Sequence, residues 1–335
     1  MNEIAAGDDT PGEHPFATLQ PALLLDMLES ADVRADGRLL ALNSYENRVY
    51  QLGVEDDVPL ILKAYRPGRW SDAGILEEHA FADELASLDI PVVPPLARNG
   101  RTLHHAGGFR FALYPRRGGH APELDKADTR EWLGRLLGRM HAVGETATFR
   151  HRPTIDAAIM GRGNRDWLLD SGWIPPAVEA GYRLVTDELL AAVEAAFREA
   201  SGGAFIRLHG DLHPGNILWT DQGPHLVDLD DCRTGPAVQD IWMLLSGGRE
   251  ERTVQLADLM AGYEQFRDFD PRELHLVEAL RTLRLISYAA WLASRWDDPA
   301  FPATFTWFGT ERYWEDHVLT LREQVAAMQE PPLPV

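Results

Sequence analysis

Residues 209–216 read His-Gly-Asp-Leu-His-Pro-Gly-Asn, and a hydrophobic run further on ends in Val227-Asp228-Leu229-Asp230. The spacing His-x-Asp-x4-Asn, followed by another aspartate, is that of a phosphoryl-transfer loop: the first aspartate receives a hydroxyl proton and the asparagine holds Mg2+. This chemistry needs an aligned hydroxyl and cations that neutralise charge spreading over the phosphoryl oxygens. Asp211 suits the first need, while Asn216 and Asp228 suit the second as ligands of Mg2+. The catalytic pair expected is therefore Asp211 and Asp228.

The neighbouring residues must place these groups. Phe205-Ile206-Arg207-Leu208 is a short strand-like run that enters the loop. Pro214-Gly215 prevents helix, so Asp211 and Asn216 lie on an irregular turn. Ile217-Leu218-Trp219 and Pro224-His225-Leu226-Val227, joined by Thr220-Asp221-Gln222-Gly223, read as a hairpin that carries Asp228 back beside Asn216. His209 and His213 also raise a zinc-hydrolase reading. An HExxH site needs a helix to present both histidines on one face, and the same Pro-Gly pair denies it.

A second cation site stands out by composition. Of 32 basic residues only Lys63 and Lys126 are lysines, and Lys63 lies within the apolar run Pro59-Leu60-Ile61-Leu62-Lys63-Ala64-Tyr65. A compact ammonium can touch phosphate oxygens in a tight strand site where a planar guanidinium cannot. Ser71 to Leu88 reads as an amphipathic helix opened by Ser71-Asp72. Glu78 shares its apolar stripe with Phe81, Leu85 and Leu88, and a carboxylate on such a face needs a cation, for which Lys63 is the natural candidate. Glu77 lies at the edge of the stripe as the alternative. Upstream, two short strands flank Asn43-Ser44-Tyr45-Glu46-Asn47-Arg48, a turn without glycine and so unlike a Gly-rich kinase loop. Ser44 is the expected phosphate contact, with Asn47 bracing the turn.

Composition bounds the setting. A chain of 335 residues is long enough for two lobes. It contains no run of about eighteen apolar residues and a single cysteine, Cys232, so no span and no intrachain disulfide are expected. The first fourteen residues read as a disordered start without a signal-peptide core. These features point to the cytoplasm. A net charge of -20 argues against nucleic acid or an anionic membrane as partner. The same field opposes ATP, so local cations must bind it.

The coarse architecture is α+β and two-lobed. Strands near 38–43, 47–53 and 59–65, the helix 71–88, and strands near 95–104 and 109–114 form a small N-terminal ATP-binding lobe over residues 15–115. Leu113 to Gly119 is the candidate hinge, with backbone near Ala112 to Tyr114 available to adenine. Residues 116–330 form a larger catalytic and substrate lobe, with helices expected at 128–143, 164–171, 176–200, 237–247, 251–267, 271–296 and 310–329.

Several segments resemble the aminoglycoside and choline kinase-like phosphotransferases, and within them the bacterial stress response kinase A group. They are Leu42 to Tyr50, Leu62 to Pro67, Ile75 to His79, Leu208 to Trp219, Val227 to Asp231, Gly235 to Leu245, and Arg295 to Pro302. The resemblance implies a protein-kinase-like fold, use of ATP and Mg2+, and phosphorylation of serine or threonine hydroxyls of proteins in a stress response. It implies Asp211 as base, Asn216 and Asp228 as metal ligands, and Ser44 and Lys63 as ATP contacts, with Asp240 bracing the loop through backbone amides. A monomer is expected.

The short stretch from Asp228 to Asp240 leaves no room for a conventional activation loop, and no Ala-Pro-Glu segment follows. A rival reading is therefore a small-molecule kinase of the homoserine, choline or aminoglycoside type, whose ligand could sit among Tyr288, Trp291, Trp296, Trp307, Tyr313 and Trp314. At helical spacing, Tyr288 and Trp291 also suit a packed core. A pseudokinase scaffold is the third class; the joint presence of Lys63, Asp211, Asn216 and Asp228 argues against it.

Overall fold

The computed structural model describes residues 14–335; of the expected disordered start only His14 is among them, and its carbonyl accepts the Ala17 N–H at 2.9 Å. Helix α1 (Pro21–Ser30) opens the N-terminal lobe, ahead of the strands and helix expected there from the sequence. Its signal was present: Pro21 starts the first turn, and Leu24, Met27 and Leu28 form one buried face. Strands β1 (Ala35–Ala41), β2 (Arg48–Val54) and β3 (Leu60–Ala64) follow, then α2 (Asp72–Ser87), β4 (His104–Ala106) and β5 (Phe109–Pro115). The strands make one antiparallel sheet in the order β1-β2-β3-β5-β4. Leu52, Leu62, Phe111 and Leu113 bury their side chains against α1.

The strand expected near 95–104 is not formed. Pro91, Pro94 and Pro95 strip that stretch of ladder donors. Instead, the Pro91 carbonyl and the Val93 N–H bond both sides of Leu226, tying the lobes together, and regular pairing resumes only at His104.

The larger lobe is mainly helical: α3 (Ala127–Gly144), α4 (Asn164–Asp170), α5 (Pro176–Glu199), then β6 (Ile206–Leu208), the hairpin β7 (Ile217–Thr220) and β8 (Gly223–Leu226), and β9 (Arg233–Gly235) paired with β6. Helices α6 (Gln239–Trp242), α7 (Arg249–Tyr263), α8 (Val277–Ser294), α9 (Ala300–Thr304) and α10 (Glu311–Met328) complete it. Helix α6 is far shorter than the span expected for 237–247. It loosens into i→i+3 turns at Leu244 and Leu245, and Gly247 at φ +82° stops it. Likewise Pro271–Leu276 winds as a 3-10 turn before α8 begins. Helices α3 and α7 approach backbone to backbone: a Cβ at Gly262 would lie 2.0 Å from the Glu131 carbonyl oxygen, so only glycine fits there.

Helix α2 joins the lobes. Ser71 accepts the Gly74 N–H at 3.1 Å as its N-cap, and Phe81, Ala82 and Leu85 enter the core of the helical lobe. The aromatic side chains of the C-terminal region pack against one another, although Trp307 stays exposed. Trp291 lies 5.0 Å from Phe301 by ring centroids, and Trp314 is fully buried beside Tyr182 and Tyr313. Among the described residues no helix is long and apolar enough to cross a membrane.

Candidate active site

A cavity of about 310 Å³ lies between the lobes, walled by apolar side chains including Leu42, Val49, Ile61 and Leu218, with Lys63, Glu78 and Asp228 among its lining. Lys63 comes from β3, where register places it opposite Val49 and Ala112. Its Nζ lies 2.9 Å from Asp228 Oδ1, 3.2 Å from Asp230 Oδ1 and 3.5 Å from Glu78 Oε1. Glu78, not Glu77, is therefore the helix carboxylate that meets the lysine. Glu77 instead accepts the backbone N–H groups of Arg150 and His151, each at 2.7 Å.

Burial alone would push the Lys63 pKa down, but the three surrounding carboxylates hold it well above the ordinary lysine value. Burial pushes the Glu78 carboxyl up against the pull of Lys63, and Asp230 adds to the rise. Asp230 goes the other way despite its burial, because Arg69 as well as Lys63 faces it. Asp228 is exposed, whereas Glu78 and Asp230 are buried and share the lysine; Asp230 also bonds Arg69, so the cost of burial falls on Glu78.

The loop 209–216 is held from behind. Asp240 is fully buried and accepts the His209 N–H at 2.7 Å and the Gly210 N–H at 2.8 Å, bracing the loop by its backbone as expected. The Asn216 side-chain amide donates to the Asp211 carbonyl at 2.9 Å, which leaves Oδ1 as the atom that could ligate a metal. The Val227 N–H donates to the Asn216 carbonyl at 3.0 Å, so the hairpin returns Asp228 next to Asn216. Asp228 itself sits at φ +59°, ψ +61°, a left-handed conformation that aspartate tolerates and that re-aims its side chain out of the strand direction. Two protein oxygens plus phosphate oxygens are a donor set for a hard divalent cation, as Mg2+ is commonly held. The histidines do not converge on a metal. His209 is fully buried with Nε2 on the Val227 carbonyl, and His213 Nδ1 accepts the Gly215 N–H at 3.0 Å. No group of three metal-ligating side chains occurs among the described residues.

The turn above the cavity is braced differently from expectation. The Ser44 hydroxyl oxygen accepts the Val49 N–H at 3.0 Å, closing the turn itself. Asn47 reaches beyond the turn: its carbonyl oxygen accepts the Arg66 N–H at 3.1 Å and its amide donates to Asp230 at 3.0 Å. At the hinge, the Leu113 carbonyl already accepts the Leu96 N–H at 2.7 Å, and Tyr114 and Pro115 line the cavity.

Sequence reasoning missed five residues. Asp230 follows Asp228 in the same short run, but its partner Arg69 carried no local signal. Asp298 accepts both Arg48 and Arg66, at 2.6 and 2.7 Å, and Glu46 accepts the Trp291 indole N–H at 2.5 Å, so the turn is tied to the other lobe. Arg284 Nη1 lies 2.6 Å from Asp211 Oδ1.

A small antiparallel sheet set over a helical lobe, with this cavity between them, defines a kinase-like phosphotransferase. The chain belongs to the phosphotransferase enzyme family, which it matches over residues 38–277. It is similar to stress response kinase A of Escherichia coli strain K12, at 48% identity over 318 residues covering 95% of this chain and 96% of that one. The serine/threonine protein kinase RdoA of Salmonella typhimurium strain LT2 is 46% identical, with the same shares covered. Among solved structures, an aminopropanol kinase associated with a microcompartment superposes with a TM-score of 0.70 at 19% identity, covering 92% of this chain and 97% of that one. The amicoumacin kinase hAmiN in complex with AMP-PNP and Ca2+ superposes at 0.69 and 18% identity, covering 92% and 94%. At these identities the two structures bear on the fold alone.

Proposed function

We propose that the chain is an ATP- and Mg2+-dependent kinase that transfers the γ-phosphate to serine or threonine hydroxyls of proteins, acting as a cytoplasmic monomer in a stress response. The observation that carries the transfer chemistry is the convergence of Lys63, Asn216 and Asp228 near Asp211 on a loop that Asp240 braces. Protein as acceptor rests on the name of one relative, the serine/threonine protein kinase RdoA, 46% identical over nearly the whole chain.

In this reading the apolar walls take the adenine and Lys63, held by Glu78, pairs with phosphate oxygens. Ser44 presents its turn to the phosphates. Asn216 and Asp228 hold Mg2+, which supplies positive charge to the phosphoryl oxygens. Asp211 aligns the acceptor hydroxyl and takes its proton. The lobes bound the site at 15–115 and 116–330. The small-molecule alternative of homoserine, choline or aminoglycoside type draws support from the short segment between Asp228 and Asp240, which is only a 3-10 turn and β9. Its aromatic cation box draws none, because Trp291 is engaged with Glu46 and Phe301.

The test is transfer of labelled γ-phosphate from Mg-ATP to casein and myelin basic protein, beside homoserine, choline and kanamycin. Protein labelling is expected, with Asp211→Asn reducing it at least about 100-fold while ATP affinity changes less than about threefold. Labelling of a single metabolite, with none on protein, overturns the acceptor; undiminished transfer by Asp211→Asn overturns the base.

A further inference from the structure

We propose that Arg284 is a positioning residue of the transfer step, orienting Asp211 and offsetting its charge against the incoming phosphoryl group. The proposal rests on the phosphoryl-transfer reading of the site but not on the class of acceptor.

The loop 209–216 contains no lysine or arginine. His213 Nε2 lies 3.8 Å from Asp211 Oδ2, beyond hydrogen-bond distance, and burial pushes its pKa down, which disfavours its charged form. Lys63 is shared among Asp228, Asp230 and Glu78. Arg233 also feels the charge of Asp211, but it hydrogen-bonds to Asp231. A carboxylate base facing an anionic triphosphate needs a cation bonded to it directly, because repulsion between like charges at contact is large. Helix α8 answers it from 73 residues away. Arg284 Nη1 sits 2.6 Å from Asp211 Oδ1, and the Met243 sulfur lies 3.9 Å from the same nitrogen.

This contact divides the carboxylate. Oδ1 is held by the guanidinium, while Oδ2 has no donor within hydrogen-bond distance among the described residues and is left for the acceptor hydroxyl. The same helix and its C-cap grip the turn above the cavity, since Trp291 on α8 and Arg295 just past its end both bond Glu46. One rigid element thus sets the distance between the base and the phosphate-side turn. In the step, the acceptor O–H proton passes to Asp211 Oδ2 and the acceptor oxygen bonds the γ-phosphorus. The bond from that phosphorus to the bridging oxygen breaks, and ADP leaves with its electron pair. Arg284 keeps its charge throughout.

The full chain is assayed with labelled Mg-ATP, using whichever acceptor the wild type labels. Arg284→Ala and the near-isosteric Arg284→Met are expected to lower kcat about 100-fold, with the KM for ATP within about twofold. Arg284→Lys retains the charge without the fork and should lose about tenfold. Methylguanidinium should restore at least about tenfold of the rate lost in Arg284→Ala and do nothing for Arg284→Met, whose side chain fills the space. Rates within about threefold of wild type for Arg284→Met, or a KM for ATP that rises in step with the loss, overturn the proposal. If the wild type labels no acceptor, the transfer reading itself fails and this proposal with it. If the wild type labels an acceptor, Asp211→Asn is inactive and Arg284→Met is normal, only the role of Arg284 fails.

Discussion

Asp298→Ala is expected to cut the tie between the lobes and weaken ATP binding without slowing the chemistry. The Asp298 side chain is 1% exposed and accepts Arg48 Nη2 at 2.6 and 2.8 Å, Arg66 Nη2 at 2.7 Å and the Ala300 N–H at 3.2 Å. Burial would raise its pKa, but that backbone donor and the two arginines hold it below the ordinary aspartate value. Breaking a buried ion pair from one side typically costs 3–5 kcal/mol, because the partner charge stays behind. Here the partners keep other contacts. Arg48 still donates to the Tyr45 carbonyl at 2.9 Å, and Arg66 still lies 3.2 Å from Glu46. The loss therefore falls at the lower end, about 3 kcal/mol. Urea unfolding followed by tryptophan fluorescence measures it, with Glu194→Ala as the control. That substitution removes an exposed pair with Arg162 of similar length, 2.7 Å, and should leave the midpoint unmoved. Because Arg48 and Arg66 anchor the turn that carries Ser44 and Asn47, the KM for ATP should rise at least about fivefold with kcat nearly constant. A midpoint shift no larger than that of Glu194→Ala, or a fall in kcat at unchanged KM, would refute the reasoning.

Two further outcomes follow from buried carboxylates away from the nucleotide. Glu273 is 2% exposed, and burial raises its pKa from 4.5 to about 7, against the hydrogen bond from the Val238 N–H. The folded state therefore holds the proton more tightly. The stability this contributes is complete below pH 4.5 and is lost as pH rises through 7, about 3 kcal/mol over the whole window at about 1.4 kcal/mol per pH unit. Glu273→Gln should flatten the decline between pH 5 and 7.5 in urea titrations; a slope equal to that of wild type would count against this account. Asp240→Asn keeps one acceptor for two loop amides, so kcat should fall about 10- to 100-fold with the KM for ATP unchanged, and steady-state kinetics that show an unaltered kcat would remove Asp240 from its bracing role.

Groups whose partners lie nearby in the chain were readable in advance. The return of Asp228 to Asn216 followed from a hairpin only ten residues long, and the preference for Glu78 over Glu77 followed from helical spacing alone. Reading failed where a local pattern had two outcomes. A strand is expected near 95–104, yet the prolines at 91, 94 and 95 leave this stretch only isolated bonds, to Leu226 from residues 91 and 93 and to Leu113 from Leu96. Ser44 and Asn47 are interchangeable as turn residues, and only the surrounding fold assigns the first to closing the turn and the second to Asp230.

Asp211, Asn216, Asp228 and Lys63 stood out as candidates for phosphoryl transfer from the chain alone, because spacing within a loop, hairpin or helix is a property of the local backbone. Only the tertiary structure decided what surrounds them. A half-buried arginine on α8 looks like many others until folding puts Arg284 against Asp211, and Asp298 meets Arg66 across 232 residues of chain. Charge pairing in a low-dielectric interior depends on distance in space, and chain order does not encode that distance.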